Sequence, residues 1–236
     1  MRRLPRFAAA NPARADIVCR VPPLLTAILP PSAVAAERRD DADPAPLFPG
    51  EAAAVADAVD SRRREFATGR LCAREALRAL GLPAAAVPRG DGGAPVWPPG
   101  VVGSVTHCAG YRGAAVARAG DLAALGIDAE PDEPLPAGVL DLVAGEGELA
   151  GLPDGGPHWD RLLFCAKEAL YKAWYPLARR WLGFEEAWVT LAPDGTFTAR
   201  VLVEGAPVGG GVRTEFAGTW LATPGLLLAA VAVPTG

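Results

Sequence analysis

Two stretches of helical periodicity, each followed by short β-like runs, constrain this chain more than any other feature. The first begins at Ser61 and reads SRRREFATGRLCAREALRAL, with Phe66, Ala73, Leu77 and Leu80 spaced to face a core. Ser61 is placed to act as its N-cap and Gly81 as its C-cap, and Pro83 prevents continuation. Arg70, Arg74 and Arg78 stand four apart and predict a basic stripe on another face. The second stretch runs from about His158 through Leu177, with Leu163, Ala166, Leu170, Ala173 and Leu177 as its apolar stripe. Strand-length runs follow each helix: VVGSV, GAAVA and LAALGID after the first, then AWVTLA, TFTARVLV and LLLAAVAV after the second. LLTAILP (24–30) also predicts a strand, DDADPAP (40–46) a solvated loop, and PRGDGGAPVWPPG (88–100) a structured loop. The order β, α, β-rich, α, β-rich predicts an α/β (α+β) protein of two similar-sized halves, 1–120 and 121–236. Residues 1–20 are basic, Pro/Ala-rich and unpatterned, and are expected to form a loosely ordered extension of the first half.

Charge and cysteine usage narrow the function classes. A net charge of -4 argues against general nucleic-acid binding, which needs a strong basic footprint. Cys19, Cys72, Cys108 and Cys165 contain no CxxC pair, and His107 and His158 are the only histidines, so a structural zinc site lacks ligands at the required spacing. Reduced thiols are the plain reading. MRRLPRFAAANPARAD has no apolar run of signal-peptide length. Nothing approaches the roughly eighteen apolar residues of a membrane span. A soluble cytoplasmic protein is expected.

FCAKEALYKAW (164–174) holds both lysines of a chain whose other basic residues are all arginine. On a helix Glu168 and Lys172 share a face, with Tyr171 beside them. A surface ion pair of this kind contributes about 0.3–0.5 kcal/mol. Arginine would serve such a pair equally well in this composition. An ammonium, however, is a compact charge suited to a single phosphate oxygen, unlike the guanidinium fork.

In LGIDAEPDEP (125–134) an apolar run ends in Asp128-x-Glu130, which puts both carboxylates on one side of a strand end. That spacing suits Mg²⁺, which takes one or two carboxylates together with substrate phosphates and waters. Taken alone, the pair reads more readily as a solvated acidic strand end, and it gains force only if Glu168 converges on it. In GSVTHCAG (103–110) a strand end followed by Thr106 and His107 can offer hydroxyl, imidazole and backbone N–H groups to a phosphate. Alone, His107 reads as a structural histidine. His158, beside Trp159 at a helix start, reads as an ordinary polar residue, and the GxSxG of a nucleophile elbow is absent. An anion-binding loop, a carboxylate pair and a carboxylate between two lysines together describe phosphate-ester chemistry on a Mg²⁺-bound polyphosphate.

REFATGRLCAREALRALG, GDGGAPVWPPGVVGSVTHCAGYRGAAVA, GIDAE and FCAKEALYKAWYPL resemble 4′-phosphopantetheinyl transferases of the surfactin/enterobactin type. The likeness is strongest to the actinobacterial branch that serves mycolic-acid and polyketide assembly lines. It runs with gaps from about Arg62 to Phe184, and GSxTH, GIDxE and FxxKEAxYK in that order form a specific signature. The resemblance implies a pseudo-twofold monomer of two α/β halves with coenzyme A in the cleft between them. It implies transfer of phosphopantetheine from coenzyme A to a serine of an apo acyl or peptidyl carrier protein, releasing 3′,5′-ADP. By motif, Asp128, Glu130 and Glu168 would hold Mg²⁺, or Mn²⁺ in its place, against the pyrophosphate, and Glu168 would also serve as base. Lys172 would bind the α-phosphate, with Lys167 adding charge nearby, and Thr106 and His107 would contact phosphates of coenzyme A. Arg62, Arg70 and Arg89 would grip the 3′-phosphate region; Arg89 stands where relatives often have lysine. Arg179, Arg180 and Trp181 are candidates for docking an acidic carrier protein. No membrane or nucleic-acid partner is implied.

Two other readings use the same residues. A Mg²⁺-dependent nuclease or phosphodiesterase also employs scattered carboxylates with lysine, but the acidic charge and the K-E order count against it. A non-catalytic nucleotide-binding protein would have little reason to keep all three carboxylates and both lysines.

Overall fold

A computed structural model of the chain describes residues 23–236 apart from Pro44, so the N-terminal extension expected over 1–20, with Cys19, lies outside the described residues. In chain order come β1 (Ala33–Arg38), α1 (Asp60–Ala79), β2 (Val101–Cys108), β3 (Tyr111–Arg118), β4 (Leu122–Glu130), and two short helices, α2 (Leu140–Val143) and α3 (Glu146–Ala150). Then follow α4 (Trp159–Ala178), β5 (Ala187–Leu191), β6 (Thr196–Val201), β7 (Ala206–Val208), β8 (Gly211–Arg213), β9 (Glu215–Thr223) and β10 (Leu226–Pro234). The strands form a three-stranded sheet, β1-β3-β2, a five-stranded sheet, β4-β10-β9-β6-β5, and the hairpin β7-β8, with antiparallel pairing throughout.

The period-2 alternation of side chains sorts these strands into layers. Ala114 and Val116 of β3 pack with Ala73, Ala76 and Leu77 of α1, whereas Tyr111, Ala115 and Ala117 face the opposite way. There they meet Leu125, Ile127 and Ala129 of β4 and Leu226, Leu228 and Ala230 of β10. The other face of β10, Leu227, Ala229, Val231 and Val233, packs under Leu163, Ala166, Leu170 and Ala173 of α4. Strands buried on both faces need apolar residues at every position. That is why GAAVA and LLLAAVAV are continuous, while the peripheral β5 alternates buried and exposed.

Three local expectations change. LLTAILP is a 3₁₀ turn (Leu24–Ile28) rather than a strand. Its N–H groups find a side chain instead of a neighbouring strand: Leu24 and Leu25 donate to the carboxylate of Glu37, at 2.9 and 3.3 Å. Helix α1 begins at Asp60 after Val59, so Ser61 is inside it rather than its N-cap. Its end is as predicted: Gly81 has φ +79°, and the Leu82 and Gly81 amides donate to Leu77 and Arg78 carbonyls at 2.9 and 3.0 Å, a Schellman pair.

The expected basic stripe is not a solvated face. Arg78 is exposed, but Arg74 is buried against Glu51, donating to both carboxylate oxygens at 3.0 and 3.2 Å and to the Pro46 carbonyl at 2.6 Å, with Phe48 under its guanidinium. Arg70 donates through Nε to the Val87 carbonyl at 2.6 Å. Apolar loops folded back over α1 cover positions that helical geometry alone would leave in water.

The tightest contact between layers is at Gly126 on β4. A Cβ there would lie 2.0 Å from the Ala169 carbonyl and 2.6 Å from the Ala173 amide, both backbone atoms of α4 that cannot step aside. Gly126→Ala is expected to destabilise the protein by about 3 kcal/mol or more. Gly120→Ala, with open space around the added carbon, is the control. Urea denaturation of the two variants checks this.

Candidate active site

The close seat of α4 on β4 brings two polar rows together. Arg161, Cys165, Glu168 and Lys172 recur at intervals of four, three and four, and so share one face of α4. Asp128 and Glu130, two apart, share a side at the end of β4. Asp128 is buried, and its Oδ1 accepts from Lys172 Nζ at 2.6 Å and from Thr106 Oγ1 at 3.0 Å. Its Oδ2 is buried without any hydrogen-bond partner. Burial works against the Lys172 ammonium, but Asp128 and Glu168 outweigh it and hold its pKa above the ordinary lysine value. Burial, then the charge of Asp128, pushes the carboxyls of Glu130 and Glu168 above the usual range. Arg161 opposes that shift at Glu130, to whose Oε2 its Nη1 donates at 3.0 Å, and Lys172 opposes it at Glu168.

Among the described residues no group of three or more His, Cys, Asp or Glu side chains is gathered closely enough to hold a metal ion. The chemistry of the three carboxylates nevertheless fits a hard divalent cation. All the donors are oxygens, the charge of Asp128 raises the carboxyls of both Glu130 and Glu168, and Asp128 Oδ2 is left with an unused acceptor.

Thr106 and His107, adjacent on β2, point to opposite sides of the strand. Thr106 is buried against Asp128, while His107 faces α1. There His107 Nδ1 lies 3.1 Å from Glu65 Oε1, its Nε2 lies 2.8 Å from Arg62 Nη1, and Arg62 is also paired with Glu65. A guanidinium can only donate, so Nε2 is the acceptor and the ring proton sits on Nδ1, toward Glu65. Burial holds the imidazole below its ordinary pKa; Glu65 opposes this, and Arg62, Lys172 and Arg112 reinforce it.

Arg70 lies deeper, its guanidinium over the Phe66 ring at 4.2 Å. Burial pulls its pKa down to about 10, Glu51 opposes, and the nearby charges of Arg74, Arg62 and Arg89 add to the fall. Arg62, Arg70 and Arg89 therefore share one positive neighbourhood, with Arg89 exposed on the loop at its rim. That loop bounds a cleft of about 530 Å³ whose floor is formed by β2 and β4 and whose far wall is Glu168, Tyr171, Lys172 and Tyr175 of α4. The loop approaches Tyr175 so closely at Gly92 (φ +62°) that a Cβ would lie 2.6 Å from the ring.

Lys167 departs from expectation. Its ammonium is buried away from the carboxylate row, with Val143, Phe184 and Ala187 carbonyls and Glu148 Oε2 all within 2.9 Å. Burial lowers its pKa against the opposing pull of Glu148. Its hydrogen-bonding capacity is spent inside the fold, because on α4 it projects one residue round from Glu168, into the junction with α2, α3 and β5. Arg180 pairs with Glu186, and Trp181 is 68% exposed and rests on Tyr171 at 4.7 Å.

Two site residues escaped the sequence reading. Arg161 was visible in principle, since it lies seven residues before Glu168 on the same helical face. Glu65 was not, because nothing separates it from the other charges of RRREF before β2 is placed beside α1.

Comparison with known proteins gives two family-model matches: the 4′-phosphopantetheinyl transferase N-terminal domain over residues 50–117 and the 4′-phosphopantetheinyl transferase superfamily over 124–215. The chain is 55% identical over 219 residues to the 4′-phosphopantetheinyl transferase Svp of Streptomyces mobaraensis, covering 89% of each. It is 50% identical over 192 residues to PptT of Mycobacterium tuberculosis (78% of this chain, 85% of the relative). It is 46% identical over 220 residues to Npt of Nocardia iowensis (89% and 99%).

The two lysines are expected to separate in a stability experiment. Lys167→Met leaves Glu148 buried without its countercharge and should cost about 3–5 kcal/mol. Lys172→Met takes the countercharge from buried Asp128 as well, but Lys172 is 27% exposed and makes one hydrogen bond against four at Lys167, so the urea midpoint should shift by less.

Proposed function

Because the chain belongs to the 4′-phosphopantetheinyl transferase superfamily, we propose that it moves the 4′-phosphopantetheine group from coenzyme A to a serine hydroxyl of an apo acyl or peptidyl carrier protein, releasing 3′,5′-ADP. The observation that carries this reading is Asp128, held by Lys172 and Thr106, with an unused buried oxygen and a charge that raises the carboxyls of both Glu130 and Glu168.

The serine oxygen attacks the phosphorus that bears the pantetheine arm, and the bond from that phosphorus to the bridging oxygen of the pyrophosphate breaks. Serine is a poor nucleophile at neutral pH, and Glu168 takes its proton directly or through water. Burial makes Glu168 a stronger base than an exposed carboxylate. Lys172 donates to the phosphate oxygens and neutralises the charge that develops on the departing 3′,5′-ADP. Asp128 aims that ammonium, and Thr106 fixes Asp128. A divalent cation, which we read as Mg²⁺, would be held by Asp128, Glu130 and Glu168 and would supply charge neutralisation at the pyrophosphate. Arg62, Arg70, Arg89 and His107 would receive the nucleotide's 3′-phosphate region.

We read 1–120 and 121–236 as two halves of a pseudo-twofold monomer with coenzyme A between them. The family matches ending at 117 and starting at 124 support that division. A cytoplasmic location accords with free thiols at Cys72, Cys108 and Cys165. Among the described residues no helix is long and apolar enough to cross a membrane.

Incubation with coenzyme A, Mg²⁺ and an apo carrier protein is expected to raise the carrier's mass by one phosphopantetheine group, with the gain lost in EDTA. Glu168→Ala should lower the rate by about 10²-fold or more, and Asp128→Ala should lose transfer while remaining folded. A fully active Glu168→Ala would overturn the assigned base, and cleavage of nucleic acid in place of transfer would favour a nuclease.

A further inference from the structure

The Arg62–Glu65–His107 triangle is wired in a way that anion binding must change. In the free protein Arg62 Nη1 donates to His107 Nε2 at 2.8 Å, while Nδ1–H faces Glu65 Oε1 at 3.1 Å. The ring is neutral, and its lone pair points to where the arginine now sits. A phosphomonoester dianion drawing Arg62 onto itself would leave that lone pair facing negative charge, a repulsive contact. One proton on Nε2 converts it into a donor. Glu65 is already on the opposite nitrogen, so the resulting imidazolium acquires a counterion without any rearrangement.

We propose that Glu65 is a positioning residue that lets His107 take up one proton when a phosphomonoester displaces Arg62 from its ring, so that the corner between α1 and β2 binds its anion with proton uptake. The inference rests on the reading that Arg62 and His107 receive the 3′-phosphate of the nucleotide.

The surroundings of the ring accord with a proton held only when the anion is present. From α1 it faces Glu65 and Arg62 and from β3 Arg112, and it feels the more distant charge of Lys172 on α4. Arg112 is paired with Asp41, to whose Oδ1 its Nε donates at 2.9 Å, and its Nη2 lies 3.7 Å from Glu65 Oε1. Burial is the main cause that keeps the ring neutral, with Arg62, Lys172 and Arg112 adding to it and Glu65 opposing; a dianion beside the ring works against that balance. The backbone does not need to move, since His107 is fixed by its β2–β3 register opposite Arg112 and Glu65 by its place on α1.

The chain has only two histidines, so ring signals of the full-length wild-type protein can be followed by NMR across a pH titration, with His158 as internal control. With saturating 3′,5′-ADP, a probe that carries the 3′-phosphate and no thiol, the pKa of His107 should rise by about one unit or more. 5′-AMP, which lacks that phosphate, should leave it in place. Calorimetry in buffers of differing ionisation enthalpy, at a pH midway between the free and bound His107 values found by NMR, should count about half a proton or more taken up per 3′,5′-ADP. Glu65→Gln keeps the acceptor on Nδ1 but removes its charge and should cancel most of both effects; if the variant does not fold, the wild-type titrations decide. An unchanged His107 titration with 3′,5′-ADP bound overturns the proposal and leaves the transferase reading standing. An undiminished shift in Glu65→Gln overturns the role of Glu65. Failure of 3′,5′-ADP to bind overturns both this proposal and the placement of the nucleotide.

Discussion

The backbone of α4 lies on β4 with no room for a single methyl group at Gly126, and the chemistry of the protein depends on that contact. A helix ordinarily stands off a sheet by the length of its side chains. Here the missing Cβ lets Ala169 and Ala173 rest on the strand, and the polar row of α4 comes within hydrogen-bonding distance of the carboxylates at the strand's end. Lys172 reaches Asp128 at 2.6 Å only because of this. The same strand faces the shared core with Leu125, Ile127 and Ala129, so the position of the acidic pair is fixed from both sides by packing.

Charge buried in this fold falls into two kinds. Arg74 with Glu51, and Lys167 with Glu148, are saturated by hydrogen bonds and tie loops to helices. At Asp128, Glu130 and Glu168 the charges are partly compensated, and two of the carboxyls are pushed upward. Fully satisfied groups stabilise a fold, whereas unsatisfied ones are poised for a ligand. The distinction also explains why two lysines persist in an arginine-rich chain, and it does so differently at each position. A single ammonium suits the niche of Lys167, where three carbonyls and a carboxylate converge on one nitrogen. Lys172 presents a compact charge beside a carboxylate at the edge of the cleft.

Much of the fold was legible because both periodicities are strong: α1, α4 and the named strands lie close to where the spacing put them. The turn of residues 24–28 was not, since its partner is the carboxylate of Glu37, and an apolar run does not reveal which groups will satisfy its amides. The buried arginines were misread for a related reason. Periodicity reports which face of a helix is polar, but not whether a distant loop, such as the one carrying Phe48 and Glu51, will cover that face.

What the sequence determined by itself is local and chemical. The capping of α1 by Gly81, the strand character of GAAVA and LLLAAVAV, the pairing of Asp128 with Glu130 and the shared face of Glu168 and Lys172 all follow from spacing along one element. Only the tertiary structure decided which of these elements meet. It turned Thr106 inward to Asp128 and His107 outward to Glu65, sent Lys167 into the fold, and recruited Arg161 and Glu65, because these relations join residues 17 to 42 positions apart. Such contacts are fixed by how closely two backbones can approach, and between α4 and β4 by the absence of one methyl group at Gly126.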